Sequence, residues 1–132
     1  MRKTLLVLML VGGLVCVSGM PVMADDAAVP AWDAKTFKKG LKTFKRKQCS
    51  GCHAIDTDGQ GEKGPGLKGI YAARGREWIT NWLKNAETLQ QTDPEMKKML
   101  ETYPDGMPDP ELSDEQLEAI LYYLAYDGVA KE

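Results

Sequence analysis

The sequence predicts an all-α domain built from four or five short helices. Apolar residues recur at helical spacings of three and four in several stretches, and helix-capping residues precede those stretches. No segment reads as a confident strand, and loops rich in glycine and proline separate the helical stretches. A length of 132 residues indicates one domain.

The first 24 residues are predicted to be a secretory signal peptide. They begin with a basic pair, continue with an apolar run over residues 5–17 and end in a small-residue cleavage site at Ala24. Cleavage after Ala24 would leave residues 25–132 as a single domain. The alternative is an uncleaved membrane anchor, because residues 4–24 are barely long enough to span a bilayer.

The first helix is predicted over residues 33–47, with Asp33 as its N-cap. One face of this helix carries Phe37, Gly40, Leu41 and Phe44. Glycine costs about 1 kcal/mol in a helix interior, and a second helix crossing with its backbone very close to Gly40 would compensate for that cost. The alternative is a glycine that simply weakens the helix.

Cys49, Cys52 and His53 form the most specific motif in the chain. Two cysteines three positions apart, followed directly by a histidine, are the attachment pattern for a c-type haem. Each thiol would add to one vinyl group of the porphyrin. His53 would then give the iron an imidazole nitrogen as its proximal ligand.

Three other interpretations of this motif are weaker. A structural zinc site needs four ligands, but His53 is the chain's one histidine and the third cysteine, Cys16, lies in the predicted signal peptide. A thioredoxin-like redox pair would accompany a βαβ pattern, which the sequence does not show. A disulfide between Cys49 and Cys52 would leave His53 unexplained.

The motif also indicates the compartment. Removal of the signal peptide would leave two cysteines, both in the motif, so that no further thiol could mispair under oxidising conditions. Covalent haem attachment takes place on the outer side of the bacterial inner membrane. We therefore expect the protein in the periplasm.

The rest of the chain alternates loops and short helices. The predicted elements are a glycine-rich loop at residues 56–66, a short turn at 67–71, helices at 76–85 and 93–100, and a last helix that starts at 113. Asp93 caps the helix at residues 93–100, with Pro94 at its first position. Ser113 forms a capping box with Gln116, and Gly128 stops the last helix.

A second axial ligand must come from another residue type, since His53 is the one histidine. Methionine is the natural candidate. Met107 lies in a proline-stiffened loop just before the last helix, which could place its sulfur on the face opposite His53, and it is the favoured ligand. Met99 is the reserve, because Met96 and Met99 lie three apart on a predicted helix, a spacing more typical of core packing.

The order of these motifs resembles that of class I c-type cytochromes, the small monohaem cytochromes of the bacterial periplasm. The haem motif follows one helix, a Gly-Pro-Gly-Leu stretch lies at residues 64–67, and Met107 precedes a Leu-Ser-Asp-Glu-Gln helix start at residues 112–116. The likeness extends over essentially all of residues 25–132. It implies a cytochrome c fold, with short helices around one covalently bound haem.

The resemblance also implies contacts around the haem. Pro65 would offer its carbonyl oxygen to the second ring nitrogen of His53, the usual support for a ligating imidazole. Trp78 and Trp82 would pack against the haem or its propionates.

Where the first and last helices cross, the resemblance implies that Gly40 and Phe44 face Ile120, Tyr123 and Leu124. The segment between Phe44 and Cys49 is one residue longer than is usual in the family. A bulge is therefore expected at the junction between the first helix and the haem motif.

By this resemblance we expect a single-electron carrier rather than an enzyme, with redox proteins as donor and acceptor. No catalytic residues are expected, because the one histidine is used by the haem. Two alternatives stay open: a haem subunit of a larger periplasmic oxidoreductase, and a gas-binding or catalytic haem with a displaceable sixth ligand. We expect a monomer, and no nucleic-acid partner because the protein is acidic and exported.

Charge is distributed unevenly along the chain. Of the 17 basic residues, Arg2 and Lys3 belong to the predicted signal peptide, which leaves 15 against 19 acids and a net charge of −4. Residues 35–47 carry seven basic residues and no acid, whereas residues 87–127 carry eleven acids against two lysines. This asymmetry predicts a dipole that orients a redox partner; the alternative is two ordinary solvated helix faces.

Overall fold

A computed structural model describes residues 28–59 and 61–131 of the chain. The predicted signal peptide, residues 1–24, lies outside this described part. The described helices are α1 (Ala34–Arg46), α2 (Ile70–Thr92), α3 (Pro94–Thr102) and α4 (Asp114–Ala125), with a 3₁₀ turn at Cys49–Gly51. The elements of the described part include no strand, so the prediction of an all-α fold is confirmed. None of the helices described here combines the length and the apolar character that a bilayer crossing requires.

Helices α1 and α4 cross at the centre of the fold. At the crossing, a Cβ on Gly40 would lie 2.6 Å from the Cβ of Tyr123 and would press on the carbonyl oxygen of Ala119. The two backbones can approach this closely because residue 40 is glycine, and the close helix crossing predicted there is confirmed. The rings of Phe37 and Phe44 pack 5.2 and 5.3 Å from the ring of Tyr123.

Helix α4 has the predicted capping box. The Ser113 hydroxyl accepts a hydrogen bond from the N–H of Gln116, and the Gln116 side chain accepts one from the N–H of Ser113. The helix ends at Ala125, three residues before the predicted stop at Gly128, and both Asp127 (φ 50°) and Gly128 (φ 68°) are left-handed. The buried apolar stripe of α4 is formed by Leu117, Ile120, Leu121 and Leu124.

The segment before α1 is tied to α4 by two tyrosine hydroxyls. Tyr126 donates a hydrogen bond to the carbonyl oxygen of Pro30 at 2.5 Å, and Tyr122 donates one to that of Ala31 at 2.7 Å. The ring of Trp32 packs 4.9 Å from the ring of Tyr126. The two ends of the described chain therefore meet at one side of the domain.

The junction between α1 and the haem motif contains one irregular residue. Helix α1 begins at the predicted cap, Asp33, and ends one residue before Lys47. Gln48 then adopts a left-handed conformation, with φ 59° and ψ 20°. This irregularity lies where the additional residue was expected to form a bulge.

Helix α2 extends over Ile70–Thr92 but is interrupted at two residues. Gly75 (φ 74°, ψ 166°) and Asn85 (φ −135°, ψ 23°) have non-helical backbone angles and divide α2 into three segments. The middle segment is the helix predicted at residues 76–85. The first segment begins at Ile70, within the stretch predicted as a turn at residues 67–71. The last segment was not predicted, because the residues after Asn85 are mostly polar.

Helix α3 begins at the predicted cap. The Asp93 carboxylate accepts hydrogen bonds from the N–H groups of Glu95 and Met96, and Pro94 occupies the first helical position. The helix ends at Thr102, slightly beyond the predicted end. Helix α3 packs against α2.

Ion pairs connect α2 to both neighbouring helices. Arg74 pairs with Glu95 of α3, and Arg76 pairs with Glu118 of α4 at 2.5 Å. These pairs are partly exposed to solvent, so each contributes little to stability, on the order of 0–1 kcal/mol. The packing of α2 against its neighbours therefore does not depend mainly on these ion pairs.

We predict that Gly40→Ala destabilises the protein by about 2 kcal/mol, because overpacking a tight contact costs roughly 1–3 kcal/mol. The added methyl group would press on Ala119 and Tyr123. Denaturant titration of the haem-containing protein measures the effect. Lys42→Ala, at an exposed position of α1, is the control and should change the stability by less than about 0.5 kcal/mol. Equal stability of both variants would contradict a close crossing at Gly40.

Candidate haem site

The helices and the glycine-rich loop enclose an apolar cavity of about 190 Å³. Its lining includes all five residues predicted to hold a haem: Cys49, Cys52, His53, Pro65 and Met107. The 3₁₀ turn and all four helices contribute to its walls. The fold therefore brings together side chains that lie far apart in the sequence.

The 3₁₀ turn sets the positions of the two cysteines. The N–H of Cys52 donates to the carbonyl oxygen of Cys49 at 3.2 Å, and the N–H of His53 donates to the same oxygen at 2.9 Å. The motif thereby folds into a single turn whose two thiols and imidazole line one cavity. The cysteines are not joined by a disulfide, and burial raises the pKa of the Cys49 thiol.

His53 is oriented by the loop that follows the motif. Its Nδ1 lies 2.8 Å from the carbonyl oxygen of Pro65, so Nδ1 carries the proton and donates it to that oxygen. The other ring nitrogen, Nε2, keeps a free lone pair for a metal. A Cβ on Gly64 would lie 3.0 Å from Cε1 of His53, which shows how closely the loop packs on the ring. This is the Pro65 contact that the resemblance implied.

Backbone hydrogen bonds hold this loop against the haem motif. The N–H of Leu67 donates to the carbonyl oxygen of Ala54 at 2.8 Å, and the N–H of Lys68 donates to that of Thr57 at 3.0 Å. These bonds fix the backbone just after Pro65 to the segment that follows the haem motif, and the orientation of His53 follows from the course of this backbone.

Met107 is held at both its sulfur and its backbone. The indole Nε1 of Trp82 donates to the Met107 sulfur at 3.2 Å. The N–H of Met107 donates to Oε1 of Gln90 at 2.6 Å, and its carbonyl oxygen accepts from Nε2 of Gln90 at 2.8 Å. The thioether of Met107 lines the same cavity as His53.

Gln90 was not among the predicted site residues. It lies in the polar last turns of α2, where a glutamine is most simply interpreted as solvated surface. No motif or spacing distinguishes it, because its role depends on a contact with a loop after α3.

The two other candidate methionines also line the cavity. Met96 is buried on α3, and Met99 is half-buried one turn later. The burial of Met96 agrees with the packing role predicted for it. Met99 lies close enough to the cavity to keep its place as the reserve ligand.

The tryptophans expected near the haem stack on each other. The rings of Trp78 and Trp82 are 6.0 Å apart and nearly parallel, at 11°. Both rings line the cavity, and the guanidinium of Arg74 lies 4.8 Å from the centre of the Trp78 ring. Arg74 also lines the cavity and was not predicted, since a single arginine carries no distinguishing pattern.

The residues present fit a haem. A c-type haem needs an apolar enclosure, two thiols and two axial donors, and the cavity offers all of these. Tyr103 provides an independent observation, because its hydroxyl is buried and has no hydrogen-bond partner in the described part of the chain. Burying a hydroxyl without a partner costs free energy, and a propionate of the haem would supply the missing acceptor.

Comparisons with known proteins agree with this assignment. The sequence model of the family described as cytochrome c matches residues 37–126. The solved structure of cytochrome c from Rhodothermus marinus is 32% identical, has a TM-score of 0.64, and covers 76% of this chain and 85% of its own. Comparison with curated proteins gave no significant match.

Two further solved structures are similar. An engineered cytochrome c from Rhodothermus marinus is 31% identical, with a TM-score of 0.61, and covers 76% of this chain and 84% of its own. The cytochrome c domain of the pp3183 protein from Pseudomonas putida is 30% identical, with a TM-score of 0.54, and covers 64% of this chain and 83% of its own.

We predict that Tyr103→Phe lowers the free energy of unfolding of the haem-containing protein by about 1 kcal/mol, the net contribution of one hydrogen bond. The reason is that the haem would accept a bond from the otherwise unpartnered hydroxyl. Denaturant titration of the two proteins measures the difference. A variant as stable as the original, or more stable, would show that the hydroxyl stays unpartnered when the haem is bound.

Proposed function

This chain belongs to the cytochrome c family, and we propose that it is a periplasmic carrier of single electrons in which His53 and Met107 are the axial ligands of the haem. The family binds haem c covalently, typically one per domain, and this chain has one attachment motif. Members of the family work with redox partner proteins. One observation carries the proposal: both thiols, the oriented imidazole and the Met107 thioether line one cavity.

The residues of the chain have separate roles in this proposal. When bound, the haem supplies the one-electron chemistry, as its iron alternates between Fe(III) and Fe(II). Cys49 and Cys52 fix the group covalently to the 3₁₀ turn. The bond between His53 and Pro65 holds the imidazole with Nε2 free for the iron. Trp82 donates to the sulfur of Met107, and the apolar walls keep water from the site.

We propose that the protein is a carrier and not an enzyme. His53 is the chain's one histidine and is assigned to the iron. With both axial positions filled by side chains, a substrate would have no position on the iron.

The distribution of charged residues affects how a redox partner would be oriented. The basic helix α1 lies beside the acidic start of α4, where Lys39 pairs with Glu115 and the ammonium of Lys47 donates to the carbonyl oxygen of Glu111 at 2.7 Å. The exposed ion pair between Lys39 and Glu115 therefore offsets part of the positive charge of α1. We propose that the remaining lysines of α1 contribute to orienting a redox partner.

We predict that the dithionite-reduced protein shows sharp low-spin bands that CO leaves unchanged, because Met107 occupies the sixth position. Met107→Ala should bind CO readily, since the vacated position can accept it. Met99→Ala is the matched control and should behave as the original protein.

Visible spectra recorded before and after CO decide between the alternatives. Ready binding of CO by the original protein would favour a gas-binding or catalytic haem over a carrier. Ready binding by Met99→Ala but not by Met107→Ala would transfer the ligand role to Met99.

We predict that the protein recovered from the periplasmic fraction starts at Asp25 and carries one haem. The observations that support this are the signal-peptide pattern and the haem motif, which needs attachment outside the inner membrane. Intact mass spectrometry checks both points, since the mass should equal that of residues 25–132 plus one haem. A mass that includes residues 1–24 would favour the uncleaved anchor. Co-purification with a catalytic partner would favour the subunit alternative.

A further inference from the structure

We infer that Gln90 is a positioning residue for Met107: its side-chain amide clamps the Met107 backbone and thereby controls how easily the thioether leaves the iron. This inference rests on the proposed function, in which Met107 is the sixth ligand. The family relationship does not lead to it, because it comes from a contact between the last turns of α2 and the loop before α4.

The side-chain amide of Gln90 both accepts a hydrogen bond from the backbone of Met107 and donates one to it. Its oxygen accepts from the Met107 N–H at 2.6 Å, and its nitrogen donates to the Met107 carbonyl oxygen at 2.8 Å. The same nitrogen donates to the carbonyl oxygen of Ala86 at 3.0 Å, one turn earlier on α2. A reversed amide would bring its oxygen against two carbonyl oxygens, so these partners fix the orientation of the amide.

The residue before Met107 shows how tightly the amide fits. Gly106 has φ 66°, a conformation that favours glycine. A Cβ at this position would lie 2.6 Å from Oε1 of Gln90. The loop backbone therefore lies directly against the amide, and a side chain at residue 106 would separate them.

Gln90 and Trp82 hold opposite ends of the same methionine. Trp82 donates to the sulfur, whereas Gln90 binds the backbone. In a straight helix these two residues, eight positions apart, would be separated by about 12 Å along the axis. The kink of α2 at Asn85 lies between Trp82 and Gln90. At this kink, the Asn85 amide donates hydrogen bonds to the carbonyl and side-chain oxygens of Asn81 at 3.2 and 2.8 Å.

The clamp has a functional consequence. For an external ligand to reach the iron, the Met107 sulfur must leave, and the backbone of its loop must move away from Gln90. Both hydrogen bonds of the clamp are then broken, so they favour the closed state. The side chain of Gln90 therefore sets the fraction of molecules in which the sixth position is open.

The test uses the ferric haem-containing protein and imidazole as a competing ligand. Gln90→Leu removes both hydrogen bonds, and we expect its affinity for imidazole to rise about tenfold or more, since two hydrogen bonds no longer favour the closed state. Gln90→Asn keeps an amide but is one methylene shorter, and it should also bind imidazole more tightly. This second variant keeps the test valid if Gln90→Leu folds poorly.

Two controls separate positioning from general destabilisation. Gln91→Leu changes an exposed neighbour on the same helix and should leave the affinity for imidazole unchanged. Tyr126→Phe removes a part-buried hydrogen bond to Pro30, and neither residue lines the cavity. It should lower the stability to denaturant without changing the affinity for imidazole.

The possible failures of the two proposals are distinguishable. The charge-transfer absorption of a thioether bound to ferric iron should disappear in Met107→Ala. If that absorption remains, Met107 is not the ligand, and both the proposed ligation and the clamp are wrong. If it disappears, but both Gln90 variants bind imidazole with the original affinity, the ligation stands and the clamp alone is overturned.

Discussion

The hydrogen bond between Nδ1 of His53 and the carbonyl oxygen of Pro65 decides which ring nitrogen faces the cavity, and the surrounding chain is arranged to maintain it. The 3₁₀ turn fixes the backbone of His53 through Cys49. The following loop returns to the motif and presses Gly64 onto the ring. Without this bond the imidazole could rotate or change tautomer, and the thiols alone would not present a nitrogen to a metal.

The two proposed ligands are held in different ways. His53 is adjacent in sequence to the covalent attachment point, and backbone hydrogen bonds fix its surroundings. Met107 has no such attachment, and two side chains of α2, Trp82 and Gln90, hold it. The methionine side of the cavity is therefore the side at which the site can open. Side chains on α2 can adjust this opening without altering the histidine side.

Most features that the sequence predicted depend on interactions between residues close together in the chain. The caps at Asp33 and Ser113 and the haem motif depend on residues within four positions of one another, and the structure forms all of them. The middle segment of α2 was predicted at residues 76–85, whereas the segments before Gly75 and after Asn85 were not.

The site features that the sequence did not predict depend on contacts between residues far apart in the chain. The bonds between Gln90 and Met107 join positions 17 apart, and no sequence period connects them. The absence of a partner for the Tyr103 hydroxyl in the described residues is equally invisible in the sequence, because it depends on everything packed around that ring. Met107 was predicted as the second ligand from the proline-stiffened loop and the lack of a second histidine, and it lines the cavity.

The contacts between the first and last segments of the described chain have a consequence for the order of folding. The hydroxyl of Tyr126 reaches a carbonyl 96 positions earlier, and α1 packs on the last helix. Such long-range contacts form late, because much of the chain must be present before they can close. Helix α1 is therefore synthesised before α4, and it cannot make its contacts with α4 until the end of the domain is present. Because Ile120 and Leu124 of α4 line the cavity that holds Cys49 and Cys52, the two thiols stay accessible for haem attachment until α4 has packed.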